Sequence, residues 1–217
     1  MCIRDRHELM LAGSRFNYMT TPFAREMVDA FNACAVTAHT MGNKDYIKRT
    51  EAYLDYLKKN DLSVAGAMTD VKGDRSLRPS DPKQKHPDYY LRIINKNKDG
   101  IVVRGAKAHI TGGPYLNELI VMPCRNMTEA DADYAVAFAI PVNTKGVIQI
   151  AHPFDYHRGP SDFPIDVPVR SHTDSLIVFD DVFVPWERVF LCGEWQQAGT
   201  LVYNFAYLHR HTATTYH

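Results

Sequence analysis

The chain has 217 residues, 45% hydrophobic and 23% charged, and its 25 Lys and Arg balance 25 Asp and Glu to a formal net charge of +0. That is ordinary globular composition, with room for one large domain or one and a half. It excludes the basic footprint of nucleic-acid or anionic-membrane binding, and no apolar run approaches the roughly 20 residues of a membrane-spanning helix.

The opening Met1–Arg6 reads as translated adapter sequence, and the chain is expected to be an internal fragment with no signal peptide. From about His7 to Asn60 the pattern is helical. Ala24–Ala38 places Met27, Ala30, Phe31, Cys34 and Ala35 on one face. Thr21-Pro22 supplies an N-cap and a proline at the first helical position. A second helix over Lys44–Lys59 carries Ile47, Tyr53, Leu54 and Leu57, and Asn60-Asp61 ends it.

The texture then changes. Leu62–Met68 is a short apolar run, Thr69–Ser76 is a polar loop, and Leu77–Pro87 is proline-rich and expected to be exposed. Tyr89–Asn95 alternates as a strand, and Asn97–Gly100 is a hairpin-type turn before Ile101–Val103. Tyr134–Ile140, Val147–Ala151, Ser175–Phe179 and Val182–Val184 are further strands. His152–Pro168 is a long loop holding Phe154 and Tyr156, with His152, His157 and His172 in or near it. A loop of that length is often functional. From Glu194 the pattern is helical again through Leu201, Phe205 and Leu208. Helices, an antiparallel β block, then helices is α+β layering. The chain has no Gly-x-Gly-x-x-Gly fingerprint of a dinucleotide fold.

One stretch organises the rest. Ile101–Val103 and Leu119–Met122 flank a segment holding Lys107, His109, Thr111, Gly112 and Gly113, expected to be a loop of small residues. Paired glycines let backbone N–H groups approach a planar or anionic ligand, although Thr-Gly-Gly is also common turn chemistry. His109 is the acid–base candidate, against a strand-end histidine oriented by packing. Cys2, Cys34, Cys124 and Cys192 have no paired zinc or iron–sulfur spacing, so no metal is expected and a reducing, cytoplasmic setting is.

Several long motifs carry a resemblance. They are Gly66-Ala-Met-Thr-Asp-Val-Lys-Gly-Asp-Arg75, Asp99–Gly112, Met127–Val136, Val178-Phe-Asp-Asp-Val-Phe-Val-Pro185 and Arg188–Leu191. With them the chain resembles the flavoprotein family that joins 4-hydroxyphenylacetate 3-monooxygenase to 4-hydroxybutyryl-CoA dehydratase. The resemblance implies an acyl-CoA dehydrogenase-like fold. Its parts would be the end of an N-terminal helical domain (7–61), a middle β-barrel domain (62–192) and the start of a C-terminal helical bundle (193–217). It implies FAD in the crevice between barrel and helices. By position, Met68, Thr69, Asp70, Asp74 and Arg75 fall on one flavin-contacting loop, and Ile110, Thr111 and Gly112 on the other. Donors to the flavin N5 region and carbonyls are what such a ring needs, and Arg75 suits the pyrophosphate.

The resemblance also has departures. The dehydratase branch holds a four-iron cluster on three Cys and one His. Here those positions are Thr21, Arg25, Tyr216 and His209, so one ligand of four remains. The monooxygenase branch binds its phenol through an Arg, a Tyr four residues on, and a His. Arg25 matches the Arg, a residue suited to a carboxylate or phenolate, while Asp29 and Met68 stand at the other two. The implied function is an FAD-dependent oxidoreductase, first a two-component monooxygenase hydroxylating a small phenolic substrate, with reduced FAD from a separate reductase. The alternative is a cluster-free acyl-CoA lyase or isomerase. The family usually forms homo-tetramers.

Overall fold

The computed structural model describes residues 20–152 and 174–214, and the side chains of 29–152 and 174–209. Helix α1 spans Thr20–Met41, so Thr21-Pro22 lies in its first turn, where a proline is tolerated. Its inward stripe is small: Ala30, Ala33, Cys34 and Ala38 are all fully buried. Small residues let the last helix, α3 (Trp195–Thr214), pack close through Leu201 and Phe205.

Helix α2 spans Lys44–Asn60. The Asn43 side chain accepts from the N–H groups of Asp45 and Tyr46, and Asp61 closes the helix in the left-handed conformation at φ 52°. This is the stop expected at Asn60-Asp61. The buried face is Tyr46, Thr50, Tyr53 and Leu57. Ile47 and Leu54 are only half-buried, because the tyrosines reach inward to Glu194 and Glu118 and turn the helix about its axis.

Eight strands follow among the described residues: β1 (Val64–Ala67), β2 (Arg92–Lys96), β3 (Gly100–Thr111), β4 (Glu118–Val121), β5 (Val136–Pro141), β6 (Val147–Ala151), β7 (Asp174–Pro185) and β8 (Val189–Cys192). They form two four-stranded sheets, ordered β1-β4-β5-β8 and β2-β3-β7-β6. The α+β class holds, and the expected β-barrel domain consists of two sheets that do not close into one. Among the described residues the backbone pairing between them is the isolated bridge of Asp70 with Lys107, and β1 runs parallel to β4, so the first sheet is mixed.

The reason is layering. Period-2 alternation sends Leu119, Val121, Phe138 and Ile140 toward Ile101, Val103, Ile177 and Phe179 of the second sheet. The alternate residues Ile120, Met122, Ala137 and Ala139 face the helices. A sheet buried on both sides reads as a continuous apolar run, which is why Leu119–Met122 has no polar member. Phe138 and Phe179 meet edge-on between the sheets, centroids 6.0 Å apart.

Other boundaries also move. The two expected strands around Ser175–Val184 are one strand, β7, which stays continuous through Asp181 at φ 51°. The expected loop around Lys107 is strand as well, since β3 runs unbroken to Thr111. Residues 87–89 form a 3₁₀ turn, which delays the strand expected from Tyr89 to Arg92.

Candidate functional site

Because β1 and β4 are parallel, Ala67 and Val121 pair at the same end of the sheet. The chain leaves β1 as Met68-Thr69-Asp70 and leaves β4 as Met122. Strand β3 passes beside both. Its inward residues are Ile101, Val103 and then Lys107, whose side chain is 1% exposed. The ammonium meets three acceptors: Asp70 Oδ1 at 2.8 Å, the Met68 carbonyl at 3.0 Å and the Met122 carbonyl at 2.7 Å. A lysine has three donors, so all are used. Asp70 also accepts from the Leu91 N–H at 3.0 Å, and the Ala108 N–H donates to the Thr69 carbonyl at 2.8 Å. The two expected ligand loops are therefore fastened side by side. Within them, the Asp70 carboxylate points into the protein.

The first loop continues around the buried Gln84. Its amide donates to the Asp74 carbonyl and its oxygen accepts from the Asp74 N–H. Gly73 has φ +54°, and a Cβ there would lie 2.3 Å from the Tyr89 ring, so only glycine fits. The Asp74 carboxylate is taken up by the Ser76 hydroxyl and N–H, which hold its pKa below the usual value. Arg75 is exposed and makes none of the hydrogen bonds or ion pairs among the described residues.

The second loop begins with a bulge. Pairing of β3 with β7 shifts between Lys107 and Ile110, and His109 takes φ +56° with its side chain in solvent. Ile110 turns back inside, and its carbonyl accepts from the Ser175 hydroxyl at 3.2 Å. Thr69 and Thr111 are half-buried, and their hydroxyls join none of the hydrogen bonds among the described residues. Gly112 has φ 72° and ends the strand. A Cβ on Gly113 would lie 2.5 Å from Ser175 Oγ, so this glycine is required for packing. Beside the bulge lies a cleft of about 580 Å³, lined by Ala108, His109, Ile150, His152, Ser175 and Leu176 among others.

On the helical side, Gly66 of β1 faces Ala30 of α1 and Phe205 of α3. Next to them, Asp29 Oδ2 and His209 Nδ1 stand 3.7 Å apart, and the imidazole stacks on Phe205 with centroids 5.3 Å apart. The side chain of Arg25, the loop residues Phe154, Tyr156, His157 and His172, and Tyr216 lie outside the described residues. Among the described residues, no three His, Cys, Asp or Glu side chains group as metal ligands, and no helix is long and apolar enough to cross a membrane.

Lys107 was legible only as a loop residue in the sequence. The signal that locates it is parity: it continues the inward series Ile101, Val103, Gly105, and a buried lysine requires a carboxylate.

Comparison with known proteins agrees with this architecture. The chain is 47% identical over 190 residues to 4-hydroxybutyryl-CoA dehydratase/vinylacetyl-CoA-Δ-isomerase of Clostridium aminobutyricum, covering 84% of this chain and 38% of that protein. An oxygen-tolerant archaeal 4-hydroxybutyryl-CoA dehydratase from N. maritimus superposes with a TM-score of 0.79 at 33% identity, covering 90% of this chain and 42% of that one. The oxygenase component of 4-hydroxyphenylacetate 3-monooxygenase, solved with FAD, superposes with a TM-score of 0.73 at 26% identity over 97% of this chain and 45% of that one. The fold is the acyl-CoA dehydrogenase type. The chain thus spans less than half the length of these proteins. The family described as "4-hydroxyphenylacetate 3-hydroxylase N terminal" matches residues 10–191, and the chain belongs to that family.

Proposed function

We propose that this chain is the flavin-binding part of an FAD-dependent oxidoreductase, and that the whole enzyme is a two-component monooxygenase acting on a small phenol. The observation that supports it is the fastening of Met68–Asp70 to Lys107–Ala108, which brings the loops of Thr69 and Thr111 together, with neither hydroxyl hydrogen-bonded among the described residues. That arrangement fits FAD. Thr111, Thr69 and the Ile110–Gly112 backbone would face the ring system. Arg75, exposed and without a hydrogen-bond or ion-pair partner among the described residues, would pair with the pyrophosphate.

Bound FAD would supply two-electron redox chemistry and reactivity with O₂. The chain's own residues bind, orient and exclude water. A threonine hydroxyl would donate to a ring acceptor. The apolar strand ends beside it would exclude water, which would strengthen each such bond. Arg25, on α1, is positioned in sequence to hold a phenolate or carboxylate. His109, on the rim of the cleft, is the group to accept the phenolic proton. Asp70 and Asp74 support the loop through Lys107, Leu91 and Ser76, and make no contact with the ring. In this reading reduced FAD comes from a separate reductase, and the domain limits 7–61, 62–192 and 193–217 mark the walls of the crevice.

The 47% identity to the dehydratase favours a second reading, an acyl-CoA lyase or isomerase. Thr21, Arg25 and Tyr216 replace the family's cluster cysteines, so that enzyme would work without the cluster.

Equilibrium dialysis of the chain against FAD tests the cofactor. Saturable binding below about 1 mM is expected, and its absence overturns the proposal. With reduced FAD, O₂ and 4-hydroxyphenylacetate, a catechol product supports the monooxygenase. Binding of a 4-hydroxyacyl-CoA with no oxygen consumption supports the second reading instead.

A further inference from the structure

We infer that Lys107 is the positioning residue of this cradle: its buried ammonium ties three separate chain segments into one rigid knot and so sets where Thr69 and Thr111 stand. The inference rests on the flavin reading for its meaning, and on geometry for its content.

The knot sits where the parallel strands β1 and β4 both end. Met68 and Asp70 follow β1, Met122 follows β4, and Lys107 lies two-thirds of the way along β3. Asp70 and Lys107 also form a β-bridge through their backbones. The Asp70 carboxylate reaches a fourth segment through the Leu91 N–H. The side chains of the pair are 2% and 1% exposed. A pair so dry is weak evidence for stability, because two apolar residues of similar volume often do as well. What an apolar pair cannot do is satisfy the Met68 and Met122 carbonyls, which lie 3.0 and 2.7 Å from the ammonium. Holding two carbonyls and a carboxylate around one point suits a compact ammonium. A planar guanidinium spreads its donors over a wider fork.

The consequence runs along the backbone. With Lys107 anchored, the next residue, Ala108, donates to the Thr69 carbonyl at 2.8 Å. The bulge at His109 follows at once, and Thr111 comes two residues later. One ammonium therefore fixes the spacing between the two threonines, although it touches neither hydroxyl.

The experiment separates holding the fold from placing the loops. Lys107→Met alone leaves the Asp70 carboxylate buried and unpaired, and a large fall in Tm is expected. Adding Asp70→Asn removes that charge and keeps an acceptor for Leu91, so the double variant regains most of the lost Tm. Its Met68 and Met122 carbonyls still lack their donor. The Ala108 amide is then expected to exchange with solvent about tenfold faster or more than in the unmodified chain, and FAD affinity to fall by a similar factor. Tyr53→Phe, on helix α2 and bonded to Glu118 at the opposite end of β4 from Met122, serves as the control: it lowers Tm and leaves both readouts unchanged. Lys107→Arg is expected to rescue neither.

Wild-type Ala108 protection in the double variant, or rescue of both readouts by Lys107→Arg, would overturn the assignment. If the unmodified chain takes up no FAD, the flavin reading fails, and exchange at Ala108 still decides the positioning role of Lys107 by itself.

Discussion

Arg188 donates to Glu118 Oε2 at 2.7 Å, and the carboxylate that receives it is 1% exposed. The Tyr53 hydroxyl donates to the same oxygen at 2.9 Å, and the guanidinium lies 4.3 Å from the centre of the Tyr56 ring. Helix α2, strand β4 and the turn before β8 are therefore joined through one buried oxygen. Glu118→Gln leaves Arg188 half-buried with no counter-charge, and a loss of about 3 kcal/mol is expected. The urea midpoint, converted with an unchanged slope, measures it.

Tyr53 gives that junction a pH dependence. Burial first, and then the Glu118 charge, push its phenol well above the ordinary tyrosine range. A group whose folded pKa is raised contributes stability below its unfolded pKa and loses it as pH rises. The decline therefore begins near pH 10, the unfolded value for tyrosine. Tyr53→Phe is expected to lose about 1 kcal/mol at pH 7 and to fall less steeply above pH 10. An alkaline titration of stability with the same slope in both proteins would contradict this.

Asp131 is the acid-side counterpart. Burial would raise its pKa, but the Ser80 and Thr128 hydroxyls, the Thr128 N–H and Arg78 together hold it well below the carboxylate range. Oδ2 receives Arg78 twice and Thr128 twice, and Oδ1 receives the Ser80 N–H and hydroxyl. A depressed pKa contributes stability above the unfolded pKa and loses it as pH falls, so the decline begins near pH 4. Asp131→Asn is expected to lose about 3 kcal/mol at pH 7 and to show a shallower decline below pH 4. Thermal melts from pH 3 to 7 check both.

These networks mark what could be read in the sequence. The helices, the strand block and the helical return were visible, because periods of 3.6 and 2 depend on neighbours in the chain. Thr111-Gly112 stood out through its motif, but as part of an expected loop and not as the end of a strand. Pairings between distant segments were not visible. Nothing local makes β1 lie parallel to β4, the pairing that makes the first sheet mixed. Lys107 looked like a loop residue because Gly105, Ala106 and Ala108 surround it. Gly105 breaks the apolar alternation for a long-range reason: its Cβ would lie 2.5 Å from the Leu91 Cα. Asp131 lies within the Met127–Val136 motif without standing out there, and its partners Arg78 and Ser80 lie about fifty residues away.

Gly105 and Gly42 separate two reasons for glycine. Gly105 has φ +140° and backbone atoms of Tyr90 and Leu91 against the Cβ site, whereas Gly42 has φ +61° with nothing within 4 Å. Gly42→Ala is expected to lose about 1 kcal/mol, the strain of a left-handed alanine alone. Gly105→Ala adds a clash that only a backbone shift relieves, and a loss of about 3 kcal/mol is expected. Equal urea midpoints for the two variants would show that the β3–Leu91 contact yields freely.

The proposed flavin contacts can be ranked by what each side chain already does. Asp74 spends its carboxylate on Ser76, and Asp74→Asn keeps the acceptor oxygen, so FAD affinity is expected to change less than twofold. Arg75 is exposed. An ion pair with pyrophosphate there is screened by salt, and Arg75→Gln is expected to weaken FAD about threefold, an effect that shrinks as ionic strength rises. Thr111 is half-buried at the end of β3, and its hydroxyl joins no hydrogen bond among the described residues. Thr111→Val keeps the shape and removes the donor, and a loss of about tenfold is expected, little changed by salt. The salt series distinguishes the two directly: dialysis at 50 mM and 500 mM NaCl should separate Arg75→Gln from Thr111→Val. A Thr111→Val protein that binds FAD as tightly as the unmodified chain would remove this threonine from the cradle.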